Sequence, residues 1–66
     1  MYPTRQVVDA VIAYLEANRS GRPIDIAWSL MQRRIYVSEV EVRTILNDHP
    51  RVRLNARTQR YELKPT

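Results

Sequence analysis

The spacing of apolar residues changes once along this chain of 66 residues. Before Pro50, apolar side chains recur at steps of three and four, the spacing that places them on one face of a helix. After Pro50 they alternate with polar residues, which is the spacing of a strand with one buried face. A chain this short supports one small core. The helices and strands are therefore predicted to share that core in an α+β fold.

Two amphipathic helices are predicted in the first half of the chain. The first covers residues 5–18, with Thr4 as its N-cap. The second covers about residues 26–34, with Asp25 as its N-cap. Gly21, the only glycine, is expected to form a stop or turn between them. The apolar stripe of the second helix is expected to contain Ile26, Ala27, Leu30 and Met31.

A third helix is predicted from the cap at Ser38 to about Asp48. Ser38 and Glu41 have the spacing of a capping box, in which each residue satisfies a backbone N–H near the other. The inner face of this helix is expected to carry Val42, Ile45, Leu46 and His49, and its outer face Val40, Arg43, Thr44 and Asn47.

A β-hairpin is predicted to follow. Its apolar face would carry Val52, Leu54, Tyr61 and Leu63, and its other face Arg51, Arg53, Arg60 and Glu62. A lone hairpin is barely stable, so the apolar face must lie on the helices. An extended piece near Ile24 is expected to add a short strand. Three helices, a short strand and a C-terminal β-hairpin wing predict a winged helix-turn-helix, formed as one domain over residues 3–65.

Two segments resemble the first winged-helix unit of the beta subunit of general transcription factor IIE. The first is Asn47-Asp48-His49-Pro50-Arg51-Val52-Arg53-Leu54, and the second is Tyr61-Glu62-Leu63-Lys64-Pro65. That family similarly ends its third helix at an Asn/Pro-basic step and closes its wing with Tyr-x-aromatic-Lys-Pro. Here Leu63 replaces the aromatic residue, Arg stands where the family often has Lys, and the hairpin turn is longer. The resemblance covers about residues 5–65.

If the resemblance holds, it implies a nuclear, basal RNA polymerase II initiation factor. Such a domain binds promoter DNA weakly and has other transcription-factor subunits as partners. Without the resemblance, a cytoplasmic, nucleoid-associated protein is the expectation.

The positive charge is concentrated in the second half of the chain. The net charge is +4, and residues 31–66 hold eight bases and four acids, whereas the first thirty residues are balanced. Phosphate contacts with double-stranded DNA need such bases and little sequence specificity. The predicted contacts are Arg51, Arg53, Arg57 and Arg60 on the hairpin, with Arg33, Arg34 and Lys64 assisting.

Two other kinds of binding remain open from the residues alone. Arg43 and Asn47 lie four apart on the outer face of the third helix, and they could read guanine and adenine edges in a sequence-specific regulator. However, three acids and one base between residues 38 and 48 make that helix acidic. Trp28 is expected outside the apolar stripe of the second helix, where it could anchor a protein partner.

Catalytic and metal-binding motifs are not evident. The chain has no cysteine and one histidine, so no enzyme activity, cofactor or metal is expected. The longest apolar run has six residues, far short of the roughly 20 that a membrane span needs.

Overall fold

Three helices and three short strands make up residues 5–65, the part of the chain that the computed structural model describes. In chain order they are α1 (Arg5–Asn18), β1 (Ser20–Gly21), α2 (Pro23–Gln32), α3 (Glu39–Asp48), β2 (Val52–Asn55) and β3 (Arg60–Leu63). The strands form one antiparallel sheet in the order β1-β3-β2. The prediction of a small α+β domain is confirmed. Thr4, the predicted N-cap of α1, lies outside the described residues.

Helix α1 has the predicted bounds. It buries Val11, Ile12 and Leu15, whose spacing of three and four residues places them on one face. It ends where Arg19 adopts a left-handed conformation with φ 70°. The Arg19 N–H donates to the Leu15 carbonyl oxygen at 2.7 Å and closes the last turn.

Helix α2 begins earlier than predicted. Its first residue is Pro23, which suits that position because a helix start needs no N–H there and the ring fixes φ near the helical value. Asp25 therefore lies within the first turn, and the N-cap is Arg22. The predictions that Asp25 caps this helix and that the chain is extended at Ile24 were wrong. The helix also ends sooner than predicted, and Arg34 adopts φ 64° just beyond it.

Strand β1 contains Gly21, which was predicted to form a stop or turn. The glycine is buried, and a Cβ atom placed on it would lie 2.6 Å from Cε1 of Tyr14 and 3.3 Å from Cγ1 of Ile26. The absence of a side chain thus allows β1 to pack closely against α1 and α2.

Helix α3 begins with the predicted capping box. The Glu41 N–H donates to the Ser38 hydroxyl at 3.1 Å, and the Ser38 N–H donates to the Glu41 carboxylate at 3.3 Å. Val42, Ile45 and Leu46 are buried, as predicted for the inner face. His49 is half-buried at the C-cap, where its Nδ1 accepts a hydrogen bond from the Arg51 N–H at 3.1 Å.

The hairpin packs one face onto the helices and joins their core. Val52 and Tyr61 are buried there, whereas Leu54, opposite Tyr61 in the register, remains 47% exposed. The prediction of a continuous buried face is therefore wrong at Leu54, next to the end of β2. Met31, predicted in the core stripe of α2, is also 39% exposed. The shared core consists of Val11, Ile12, Leu15, Ile26, Ala27, Leu30, Val42, Ile45, Leu46, Val52 and Tyr61.

None of the helices within residues 5–65 combines the length and the apolar character that crossing a membrane requires.

The capping box predicts a specific loss of stability. Ser38→Ala removes the acceptor for the Glu41 N–H, and we expect the free energy of unfolding to fall by about 1 kcal/mol. Urea unfolding followed by circular dichroism measures this change. Thr44→Ala is the matched control, because Thr44 lies in the middle of α3 and its hydroxyl donates to the Val40 carbonyl oxygen. That variant should be neutral or slightly stabilising, since alanine is the better helix former. Equal losses for both variants would contradict the capping account.

Candidate nucleic-acid interface

The outer face of the sheet holds two of the predicted DNA-binding arginines, and both are engaged within the fold. Nε of Arg53 donates to Oε1 of Glu62, its cross-strand neighbour, at 3.1 Å. Nε of Arg60 donates to Oγ of Ser20 at 3.0 Å, and its Nη2 donates to the Ser20 carbonyl oxygen at 3.4 Å. Arg60 is half-buried. These two side chains tie neighbouring strands together and have fewer N–H groups left for a phosphate.

Three other predicted bases of this region are exposed and have no acidic partner within residues 5–65. They are Arg51, Arg57 and Lys64. The Lys64 N–H donates to the Arg51 carbonyl oxygen at 2.7 Å, so these two residues lie side by side at the base of the hairpin. Arg57 lies in the hairpin loop, where its N–H donates to Oδ1 of Asn55 at 3.0 Å. We call these three residues the free hairpin bases.

The free hairpin bases lie at the two ends of the hairpin. Strands β2 and β3 have four residues each. At about 3.3 Å per residue, the base and the loop are separated by roughly 13 Å.

Arg33 and Arg34 lie in the turn that follows α2. Both are exposed, and within residues 5–65 neither side chain forms a salt bridge or a hydrogen bond with the hairpin. The ten residues of α3, about 15 Å of helix, separate this turn from the hairpin along the chain. That Arg33 and Arg34 share one basic surface with the hairpin stays a prediction.

Both members of the predicted base-reading pair of α3 make contacts inside the protein. Nη2 of Arg43 donates to Oε1 of Glu39 at 2.9 Å. Oδ1 of Asn47 accepts a hydrogen bond from the Tyr61 hydroxyl at 2.8 Å. A bidentate contact to adenine uses both the oxygen and the nitrogen of an asparagine amide. The Asn47 oxygen would then have to accept from both Tyr61, a core residue, and the adenine amino group.

Trp28 is 59% exposed on α2. The sequence prediction did not include the exposed residues that share its face of the helix. The helix begins at Pro23, so Ile24 belongs to it. Residues Ile24, Trp28 and Met31 then lie at positions i, i+4 and i+7 on one exposed face. A proline at the first helical position is the signal that could have revealed this face.

Within residues 5–65, no group of three His, Cys, Asp or Glu side chains is placed to hold a metal ion. Comparisons of the chain with protein-family models, with curated proteins and with solved structures gave no match.

The contact between α3 and the hairpin gives a prediction about Asn47. Asn47→Ala and Tyr61→Phe should each lower the free energy of unfolding by about 1 kcal/mol, because each removes the same hydrogen bond. The double variant should lose less than the sum of the two, and urea unfolding of all four proteins measures this coupling. Arg43→Ala is the control for an exposed ion pair and should change stability by at most about 0.5 kcal/mol. Full additivity of the Asn47 and Tyr61 changes would contradict a shared bond.

Proposed function

We propose that this chain is a winged-helix domain that binds double-stranded DNA through the phosphate backbone, with low sequence specificity. The order of elements supports the winged-helix assignment, because a hairpin directly follows the third helix and pairs with a short strand from between the first two. Transcription initiation is the proposed setting, and it is supported by the resemblance to the beta subunit of general transcription factor IIE.

One observation carries the proposal. The free hairpin bases are exposed and lack acidic partners in the described part of the chain, whereas Arg43 on α3 is paired with Glu39. Phosphate oxygens attract unpaired guanidinium and ammonium groups without reading base identity. Helix α3 instead carries three acids, Glu39, Glu41 and Asp48, which repel phosphates. The charge distribution therefore favours contact through the hairpin.

The number of free bases sets the expected strength of binding. Each neutralised phosphate contributes a salt slope of about −0.9, so three contacts give a slope of about −3. Non-specific domains of this kind bind with dissociation constants of about 10⁻⁴–10⁻⁶ M. A sequence-specific regulator reading bases through Arg43 and Asn47 is disfavoured, because the three acids of α3 repel phosphates and the Asn47 oxygen already accepts from Tyr61.

Fluorescence anisotropy with a labelled random-sequence duplex tests the proposal across a series of salt concentrations. Arg51→Ala combined with Arg57→Ala should reduce affinity at low salt by about tenfold or more, since it removes two charge-assisted contacts. The salt slope should fall from about −3 to about −1.

The control removes the same amount of charge elsewhere. Arg5 and Arg22 are exposed and lie in weak surface ion pairs with Asp9 and Asp25. Arg5→Ala combined with Arg22→Ala should leave the salt slope near −3. Equal effects from both double variants would mean that only net charge matters, and the hairpin assignment would be wrong. No binding by the unaltered protein at low salt would overturn the DNA-binding proposal itself.

A further inference from the structure

An open apolar groove lies between α2 and the segment that leads into α3. Its volume is about 310 Å³. Its apolar lining consists of Ile24, Ala27, Trp28, Met31 and Val37. Ile24 is 53% exposed and Trp28 is 59% exposed, although the opposite face of the same helix is buried in the core.

A contiguous apolar row of this kind differs from scattered surface residues. Single exposed apolar side chains are normal, whereas a contiguous patch with a polar rim marks an interaction site. Ile24, Trp28 and Met31 form such a row because they recur at the helical period. A large aromatic side chain near the centre of a patch is the residue type that contributes most to binding.

The charged residues that line the groove are both acidic, although bases outnumber acids in the chain by eleven to seven. They are Asp25, whose carboxylate lies 3.5 Å from Nε of Arg22, and Glu39, which accepts from Arg43. Both pairs are solvent-exposed, and exposed pairs of this kind are weak. The carboxylates can therefore accept a further base. An occupant that matches the groove has apolar or aromatic side chains next to positive charge.

The chain presents such a segment beside the groove. Residues 32–36 connect Met31 to Val37, two residues that line the groove, so this link begins and ends at the groove. Within the link, Arg33 and Arg34 are exposed, and Tyr36 is 75% exposed. An acid-rimmed apolar groove and a basic, aromatic segment are thus adjacent along the chain. A two-fold dimer needs a self-complementary patch of this kind.

We propose that two copies of this chain associate about a two-fold axis through the groove and this link. Arg33, Arg34 and Tyr36 of each copy lie against the groove of the other, near Asp25 and Glu39. The patch is small, and interfaces that bury less than about 1,200 Å² in total are weak and transient. We therefore expect a dissociation constant of roughly 10⁻⁵ to 10⁻³ M. The dimer uses none of the free hairpin bases, so it does not depend on DNA binding.

Sedimentation equilibrium on the full chain tests association, over protein concentrations from about 10 µM to about 1 mM. The average mass should rise toward that of a dimer with concentration. Trp28→Ser should weaken association by about tenfold or more, as expected for a central aromatic anchor. Because Trp28 is mostly exposed, its replacement should leave the fold intact, which circular dichroism checks. Leu54→Thr is the matched control, since it removes an exposed apolar side chain from the hairpin, and it should associate like the unaltered protein.

A charge exchange identifies which residues meet. Asp25→Lys combined with Glu39→Lys should abolish association, and Arg33→Glu combined with Arg34→Glu should do the same. A mixture of the two double variants should associate again, because each supplies the charges that the other lacks. This restored association is expected only if the acidic residues of one copy contact the basic residues of the other.

Three results would each overturn the proposal. They are a monomer over the whole concentration range, equal association by the Trp28→Ser and unaltered proteins, and a mixture of reversed variants that stays monomeric. Binding of a foreign basic peptide in the groove by a protein that remains monomeric would also reject self-association.

Discussion

The pairing of β3 with both β1 and β2 is the constraint on which the rest of the structure depends. It brings Tyr61 opposite Gly21 on one side and opposite Leu54 on the other. The ring of Tyr61 is buried in the core, and its hydroxyl binds Asn47 at the end of α3. Without β1 and the helices, the hairpin would be an isolated two-stranded ribbon, which is marginal in water. Strand β3 thus holds the hairpin against β1 and the helices.

The same constraint determines which positive charges are available to a ligand. Arg60 binds Ser20 and holds β1 against β3, and Arg53 pairs with Glu62 across the sheet. The net charge of the chain is therefore larger than the number of bases that are free to bind phosphate would suggest. The free hairpin bases lie at the base of the hairpin and in its loop. Arg33 and Arg34 lie in the link between Met31 and Val37, two residues that line the acid-rimmed groove, and their proposed role therefore differs from that of the hairpin bases.

Local signals in the sequence predicted much of the fold. The capping box at Ser38 and the apolar period of α1 depend on residues within one or two turns, and both were confirmed. The start of α2 was mispredicted because Asp25 was predicted as the N-cap, whereas Pro23 occupies the first helical position and Arg22 is the N-cap. The contacts of Arg60 with Ser20 and of Tyr61 with Asn47 join residues 40 and 14 positions apart. The spacing of residues along the chain does not indicate such contacts. The structure was therefore needed to show which arginines bind within the fold and which are free.

The central claim is that DNA meets the hairpin and leaves the outer face of α3 free. Chemical-shift mapping of the ¹⁵N-labelled protein with an unlabelled duplex at low salt tests it most directly. The account predicts that the largest amide shifts fall at Arg51, Arg57 and Lys64, with small shifts around Arg43. Large amide shifts on α3 together with unchanged amide signals on the hairpin would contradict this claim.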